Sequence, residues 1–262
     1  MKFKQKKLDI NGQQLFYKQA GSGNPVVLLH GWGVDSTTFE PVAEKLAADF
    51  TVYNVDFPGF GLSPAPKKVW SVYDYADCIV GFLQKLGLEK PILLGHSFGG
   101  RISIILGSQD IAGKIVLIDS AGILPKRGLC YYGKVYSYKL AKKIFSLPGL
   151  RRQRDKVIGK WQKKSGSSDY QQAEGVMREI FVKVVNEDLK PYLARITVPT
   201  LLVWGDLDLA TPLTDAQVME KLIPNSGLVV LRGAGHYSYL DKLGQFLLVM
   251  DSFLAQDKIN DE

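Results

Sequence analysis

Cysteine and long apolar runs are both scarce in this sequence of 262 residues. Cys78 and Cys130 are its only cysteines, and neither has metal-ligand spacing around it, so no disulfide framework or zinc site is predicted. No segment approaches the roughly 20 apolar residues that span a bilayer. The basic start, residues 1–10, lacks the apolar run of a secretory signal. We therefore expect a cytoplasmic protein in which both cysteines are packing residues.

Acidic residues are scarce in one segment. Residues 121–190 contain 16 lysines and arginines against 6 acids, whereas the rest of the chain has 17 against 20, so the net charge of +7 belongs to that segment. Within it, residues 126–164 hold 13 basic side chains and one acid, Asp155. This density could serve weak contact with an anionic membrane surface or an acidic ligand, but a solvated helix face is the favoured interpretation. Nucleic acid is not expected, because no binding motif accompanies the charge.

Short apolar runs alternate with helical segments along most of the chain. Asn11-Gly12 joins two strands within residues 1–20 as a hairpin. Further strands are predicted at 25–29, 51–55, 92–94, 114–118, 200–204 and 227–231, and helices at 36–49, 72–86, 98–109, 212–222 and 239–254. This alternation predicts an α/β fold with a mostly parallel sheet covered by helices on both faces. Ligands of such sheets bind at the carboxyl ends of the strands.

The alternation stops between residues 121 and 190. Helical runs occupy 129–145, 152–164 and 170–185, with turn-forming residues between them. We interpret the segment as a helical cap inserted into a core made of residues 1–120 and 191–262. Tyr131, Tyr132 and Tyr136 fall at roughly helical spacing in it and are candidate substrate contacts.

One stretch, residues 91–100, combines a strand, a tight turn and a helix start. Ser97 lies at the tip, and the small neighbours Gly95 and Gly99 would let it adopt a strained backbone. Its hydroxyl would project above the sheet edge, while the amide of Phe98, at the helix start, would face a developing negative charge. This arrangement would present a nucleophile; a capping serine in an ordinary turn is the alternative from the motif alone.

A serine nucleophile needs a base and an acid. His30, His96 and His236 each stand beside a glycine at a strand end, and His236, after the last strand, is the candidate base. The acid that would orient it has three candidates at strand ends, namely Asp119, Asp206 and Asp208. Spacing alone does not separate these three.

Taken together, the motifs resemble the α/β-hydrolase superfamily, in its serine-nucleophile, esterase- and lipase-like branch with a small helical cap. The resemblance is carried by GHSFGG at 95–100, HGWG at 30–33, DFPGFGLS at 56–63, GDLD at 205–208 and His236. It implies a triad of Ser97, Asp208 and His236. Asp119 becomes the runner-up acid, and Asp206 a surface turn residue.

The resemblance also implies an oxyanion hole formed by the backbone amides of Trp32 and Phe98, with His30 and Gly31 shaping the loop. The implied reaction is hydrolysis of an ester or similar acyl bond in a small to medium, largely apolar substrate, through an acyl-enzyme on Ser97 and without a metal or organic cofactor. Carbon–carbon bond hydrolysis and cofactor-free perhydrolysis are alternatives. A ligand receptor or membrane-associated binding module on the same fold is the non-enzyme alternative. The oligomeric state is not predicted.

Overall fold

The computed structural model describes residues 2–124, 136–137 and 168–258, and a single eight-stranded sheet organises them. Its strands are β1 (Lys4–Ile10), β2 (Gln13–Ala20), β3 (Pro25–Leu29), β4 (Thr51–Asp56), β5 (Ile92–His96), β6 (Lys114–Ile118), β7 (Thr200–Gly205) and β8 (Ser226–Leu231). They lie in the order β1-β2-β4-β3-β5-β6-β7-β8. Only the pairs β1/β2 and β2/β4 are antiparallel. The predicted mostly parallel sheet is confirmed, and β5, which leads to Ser97, lies in its interior.

Helices connect the strands across both faces of this sheet. The described α-helices are α1 (Glu40–Leu46), α2 (Val72–Leu86), α3 (Phe98–Ser108), α4 (Ser168–Gln172), α5 (Gly175–Val184), α6 (Lys190–Leu193), α7 (Leu213–Leu222), α8 (Ser238–Asp241) and α9 (Leu243–Phe253). Two 3₁₀ turns, Ser36–Phe39 and Ala255–Asp257, lie beside α1 and α9.

Three predicted helices are interrupted in the structure. The segment 36–49 starts as a 3₁₀ turn and becomes α-helical only at Glu40, because Pro41 favours the first turn of a helix. The run 170–185 divides into α4 and α5, with Glu174 extended between them, and the last helix divides at Lys242. Hydrophobic periodicity continues across such breaks, so it did not reveal them.

Two apolar cores fill the space between the sheet and its helices. In β5, Leu93 contributes to one core while Ile92 and Leu94 contribute to the other. Successive strand side chains point to opposite faces, and both faces here are covered. This explains why the strand sequences are continuously apolar rather than alternating.

The described end of the 121–190 segment is attached to the core. Ile180 and Val184 of α5 are buried in the same core as Leu93. The Arg101 guanidinium donates to the carbonyl of Glu187, and the Glu187 carboxylate accepts from the amide that starts α2. The predicted boundary between residues 190 and 191 falls inside α6.

Several sequence predictions concern residues outside the described ranges. Tyr131, Tyr132, Cys130 and almost all of the basic run 126–164 lie there, whereas Tyr136 is described and is 66% exposed. Cys78 is buried, as expected of a packing residue. Within the described parts of the chain, no helix is long and apolar enough to cross a membrane.

Candidate active site

Ser97 occupies a strained turn between β5 and α3. Its backbone has φ 49° and ψ −105°, a combination that residues with a Cβ rarely adopt. The turn is held from several sides: the Ser97 amide donates to Ile118 at 3.0 Å, and its carbonyl accepts from Gly100 and Ala121, each at 3.1 Å. The surrounding structure therefore maintains a conformation that would cost about 1–3 kcal/mol alone.

The two glycines that flank the serine are required by close packing. A Cβ at Gly99 would lie 1.9 Å from the carbonyl oxygen of Leu29, and one at Gly95 would lie 2.4 Å from Ser103 Oγ and 2.6 Å from the Gly99 carbonyl oxygen. The sequence interpretation of these glycines was correct. The first turn of α3 lies directly against the end of β3, and a side chain larger than hydrogen at Gly99 would prevent this contact.

A continuous chain of polar contacts leads from Ser97 to Asp208. Ser97 Oγ lies 3.0 Å from Nε2 of His236, and Nδ1 of the same ring lies 2.8 Å from Oδ2 of Asp208. The Asp208 side chain is buried, whereas 23% of the His236 side chain is exposed. The structure thus brings together the serine, the histidine and one of the three candidate carboxylates.

The Asp208 carboxylate is fixed by its own loop. The amides of Ala210 and Thr211 donate to Oδ1 at 2.8 and 3.0 Å, and the Thr211 hydroxyl lies 2.6 Å from Oδ2. Burial alone would raise the pKa of Asp208, but the hydrogen bonds from His236 and Thr211 outweigh it and hold the pKa below its ordinary value. Asp208 is therefore a carboxylate oriented toward His236.

The other two candidate acids are occupied elsewhere. Asp119 is fully buried and accepts from the amides of Gly205 and Ser238, both at 2.9 Å. Burial raises the pKa of Asp119 to about 7 despite these hydrogen bonds. Asp206 is exposed and accepts from the Gly233 amide at 2.6 Å, as a turn residue would.

His30 and His96 are buried structural groups beside the site. Nδ1 of His30 lies 2.7 Å from the Gly31 carbonyl and its Nε2 accepts from the Phe57 amide, so the proton is on Nδ1. Nε2 of His96 lies 2.7 Å from the His236 carbonyl and must donate to it. Burial lowers the pKa of both rings, that of His96 to about 3, so both are neutral.

The loop that carries Trp32 lies against the turn at Ser97. A Cβ at Gly31 would lie 3.5 Å from Ser97 Cβ, and the Trp32 and Phe98 rings meet edge to face at 5.3 Å between centroids. The Phe98 amide is the first of α3, where no preceding helical turn supplies an acceptor. The segment of Gly31 and Trp32 and the start of α3 therefore both lie beside Ser97.

Side chains that are distant in sequence form an apolar wall around Trp32. Its ring centroid lies 4.9 Å from that of Phe60 and 5.2 Å from that of Phe181 in α5. The Met177 side chain of the same helix lies over Gly59. Sequence reasoning identified neither Phe181 nor Met177, because their helical spacing is equally typical of a core-facing helix.

A family comparison agrees with this geometry. The model of the alpha/beta hydrolase fold family matches residues 24–243. The chain belongs to this family. It is an enzyme of the alpha/beta hydrolase type. Within the described residues, no group of three or more His, Cys, Asp or Glu side chains could hold a metal ion.

Similar proteins include named hydrolases of this family. The chain is 28% identical, over 89% of its length and 96% of the relative's, to a pimeloyl-[acyl-carrier protein] methyl ester esterase of Legionella pneumophila. It is 27% identical, over 90% of its length and 89% of the relative's, to a 2-(acetamidomethylene)succinate hydrolase of Mesorhizobium japonicum. Among solved structures, an esterase from Exiguobacterium antarcticum has a TM-score of 0.74 and 26% identity, with 95% of this chain and 98% of that one covered.

Proposed function

We propose that this protein is a serine esterase that cleaves a carboxylic ester through an acyl-enzyme on Ser97. The observation that carries the proposal is the contact chain from Ser97 Oγ through His236 to Asp208, at 3.0 and 2.8 Å. Both distances are within hydrogen-bond reach, which a nucleophile and its base require. The relatives named as esterases support the same chemistry.

In the first half of the reaction, His236 Nε2 takes the proton of Ser97 as Oγ attacks the ester carbonyl carbon. Asp208 stabilises the resulting imidazolium and keeps its ring oriented. The carbonyl oxygen becomes an oxyanion that accepts hydrogen bonds from the amides of Trp32 and Phe98, each worth roughly 3 kcal/mol in comparable sites. The tetrahedral intermediate collapses, its carbon–oxygen bond to the alcohol breaks, and His236 protonates the departing alcohol.

In the second half, water replaces the alcohol. His236 removes a proton from the water, whose oxygen attacks the acyl carbon and regenerates the oxyanion. Collapse breaks the bond to Ser97 Oγ, which recovers its proton from His236, and the carboxylic acid leaves. The apolar wall of Trp32, Phe60 and Phe181 would hold the hydrocarbon part of the substrate.

Hydrolysis of p-nitrophenyl acetate and butyrate, together with labelling by a fluorophosphonate probe, tests this proposal. We expect Ser97→Ala to lose at least about a thousandfold in kcat and to lose all labelling, because no other group occupies the nucleophile position. Ser108→Ala, at the far end of α3 where the hydroxyl donates to the Ile105 carbonyl of the same helix, is the matched control and keeps wild-type activity. A wild-type protein that neither turns over the esters nor reacts with the probe would contradict the proposal, as would an active Ser97→Ala.

A further inference from the structure

A carboxylate from the inserted segment lies at the edge of this site. Asp169 belongs to the short helix α4, and its Oδ1 lies 3.6 Å from the position that a Cβ would take on Gly33. Gly33 directly follows Trp32, whose amide is proposed to bind the oxyanion. Asp169 therefore faces the loop that carries one of the oxyanion donors.

The position of α4 is set by aromatic contacts. The Tyr170 ring lies 6.4 Å from that of Phe181, which in turn lies 5.2 Å from Trp32, and the Arg178 guanidinium lies over Tyr170. These contacts connect α4 and α5 to the apolar wall of the site. Tyr170, which directly follows Asp169, is thus packed toward the same apolar wall.

The carboxylate of Asp169 is partly buried, and among the described residues no side chain or amide donates a hydrogen bond to it; the charged group that acts on it is His236. Burial raises the pKa of Asp169, opposed by attraction to His236. Burial also raises the pKa of Tyr237, and the charge of Asp169 adds a smaller contribution in the same direction. The charge of Asp169 therefore acts on His236, the proposed base, and on Tyr237. A partly desolvated carboxylate without a partner favours a cation beside it.

We propose that Asp169 is a specificity-determining residue that makes this site select esters carrying a cationic group, such as an ammonium, over neutral and anionic esters of the same shape. The inference rests on the proposed esterase function. The hydrocarbon part of the substrate lies on the apolar wall formed by Trp32, Phe60 and Phe181, and its ammonium group lies against Asp169. An anionic ester meets the same carboxylate as a like charge and binds more weakly.

Two series of esters with matched shape test the proposal, one with the charge in the alcohol and one with it in the acyl chain. Each contains a trimethylammonium ester, its neutral tert-butyl counterpart and a carboxylate analogue. In one of the series we expect wild-type kcat/KM to be at least about tenfold higher for the cationic ester than for the neutral one. The value of kcat/KM for the anionic ester should be lower than that for the neutral ester. Absence of this order in both series overturns the proposal without any variant.

The variant Asp169→Asn keeps the shape of the side chain and removes its charge. We expect it to reduce the preference for the cationic over the neutral ester about tenfold or more and to raise kcat/KM for the anionic relative to the neutral ester, because the ratios cancel any effect on His236 that all esters share. Glu174→Gln is the matched control, since it removes an exposed carboxylate between α4 and α5, and it leaves all three values unchanged.

The outcomes separate the two proposals. Equal losses on all three esters in Asp169→Asn would assign Asp169 to His236 rather than to the substrate and would overturn the inference alone. No turnover of any ester by the wild-type protein would overturn the esterase function and this inference with it. Fluorophosphonate labelling of Ser97 at the wild-type rate shows that the variant is folded at the site.

Discussion

At the scale of single residues, burial distinguishes three histidines that have similar sequence surroundings. His30 and His96 are fully buried, neutral, and fixed in opposite tautomers by the carbonyls of Gly31 and His236. His236 remains partly exposed and lies between Ser97 and Asp208. Only a ring that can gain and lose a proton serves as a base, so desolvation excludes the other two.

His96 is expected to act as a positioning residue for His236. Its Nε2–H donates to the His236 carbonyl and so fixes the backbone of the base relative to Ser97. We predict that His96→Met, which cannot donate, has a kcat about tenfold lower than His96→Gln, which has the same length and keeps a donor. KM should stay similar in both variants.

Steady-state kinetics on one p-nitrophenyl ester, with the free energy of unfolding measured in parallel, checks this prediction. The difference should appear in kcat while the two variants unfold at similar urea concentrations. Equal kcat values for the Met and Gln variants would show that the donor is irrelevant and that only packing matters at this position.

At the scale of elements, the strained turn depends on how closely α3 approaches β3. The Gly99 amide donates to the His30 carbonyl at 3.1 Å, and the Gly99 Cα faces the carbonyl of Leu29. Both the serine hydroxyl and the amide of Phe98 are placed by this approach. Displacement of α3 by even an ångström would separate them from the loop of Trp32.

Gly99→Ala should therefore damage both activity and stability. The added methyl meets a backbone oxygen, which cannot rotate away, so we predict a loss of about a hundredfold or more in kcat/KM and of about 1–3 kcal/mol in the free energy of unfolding. Gly244→Ala is the control. At this exposed position near the start of α9, the new Cβ has no described atom within 4 Å beyond its own chain neighbours and the local helix backbone, and alanine there should be neutral or stabilise by up to about 1 kcal/mol.

Ester hydrolysis and urea unfolding of the two glycine variants measure these effects. If Gly99→Ala retained wild-type kcat/KM, the close approach of α3 to β3 would not determine the geometry of the site.

At the scale of the whole molecule, Asp119 joins segments far apart in sequence. It directly follows β6, accepts from the amide of Gly205 at the end of β7, and accepts from the amide of Ser238, two residues after His236. Its role in the structure is to hold the loop of the base to the sheet edge. Burial raises the pKa of its side chain to about 7, above the ordinary value of 3.8.

This raised pKa predicts a pH-dependent stability. The folded state favours the protonated form, so the contribution of Asp119 is fully present below about pH 4 and is lost as pH rises through 7, by up to about 4 kcal/mol. Relative to Asp119→Asn, which does not titrate, the wild-type free energy of unfolding should fall between pH 5 and 8. Urea unfolding at several pH values checks this, and parallel pH curves for the two proteins would contradict it.

Charge at this scale gives two opposite expectations for the ligand. The basic run 126–164, whose favoured interpretation is a solvated helix face, has an acidic ligand or anionic surface as its alternative, and almost all of it lies outside the described residues. Asp169, which the sequence analysis did not identify, instead places a negative charge at the edge of the site. No sequence motif distinguishes Asp169 from the other aspartates of the chain. Only its position beside Gly33 makes it a candidate.

The sequence by itself determined the fold class, and it identified Ser97 and His236 as the candidate nucleophile and base. Continuous apolar strands, glycines at strand ends and the GHSFGG turn are local patterns, and local sterics require those residue types there. The strand order and the helix interruptions at Glu174 and Lys242 were beyond such patterns, because they depend on packing between elements.

The tertiary structure alone decided which carboxylate meets His236. Asp119, Asp206 and Asp208 all follow strands, so sequence spacing treated them alike, and only the resemblance ranked them. In the folded protein, Oδ2 of Asp208 lies 2.8 Å from Nδ1 of His236. Asp119 instead accepts hydrogen bonds from two backbone amides, and Asp206 lies at the surface. A hydrogen bond forms between atoms about 3 Å apart, and across 28 residues of chain that distance is set by the sheet and its loops rather than by the sequence interval.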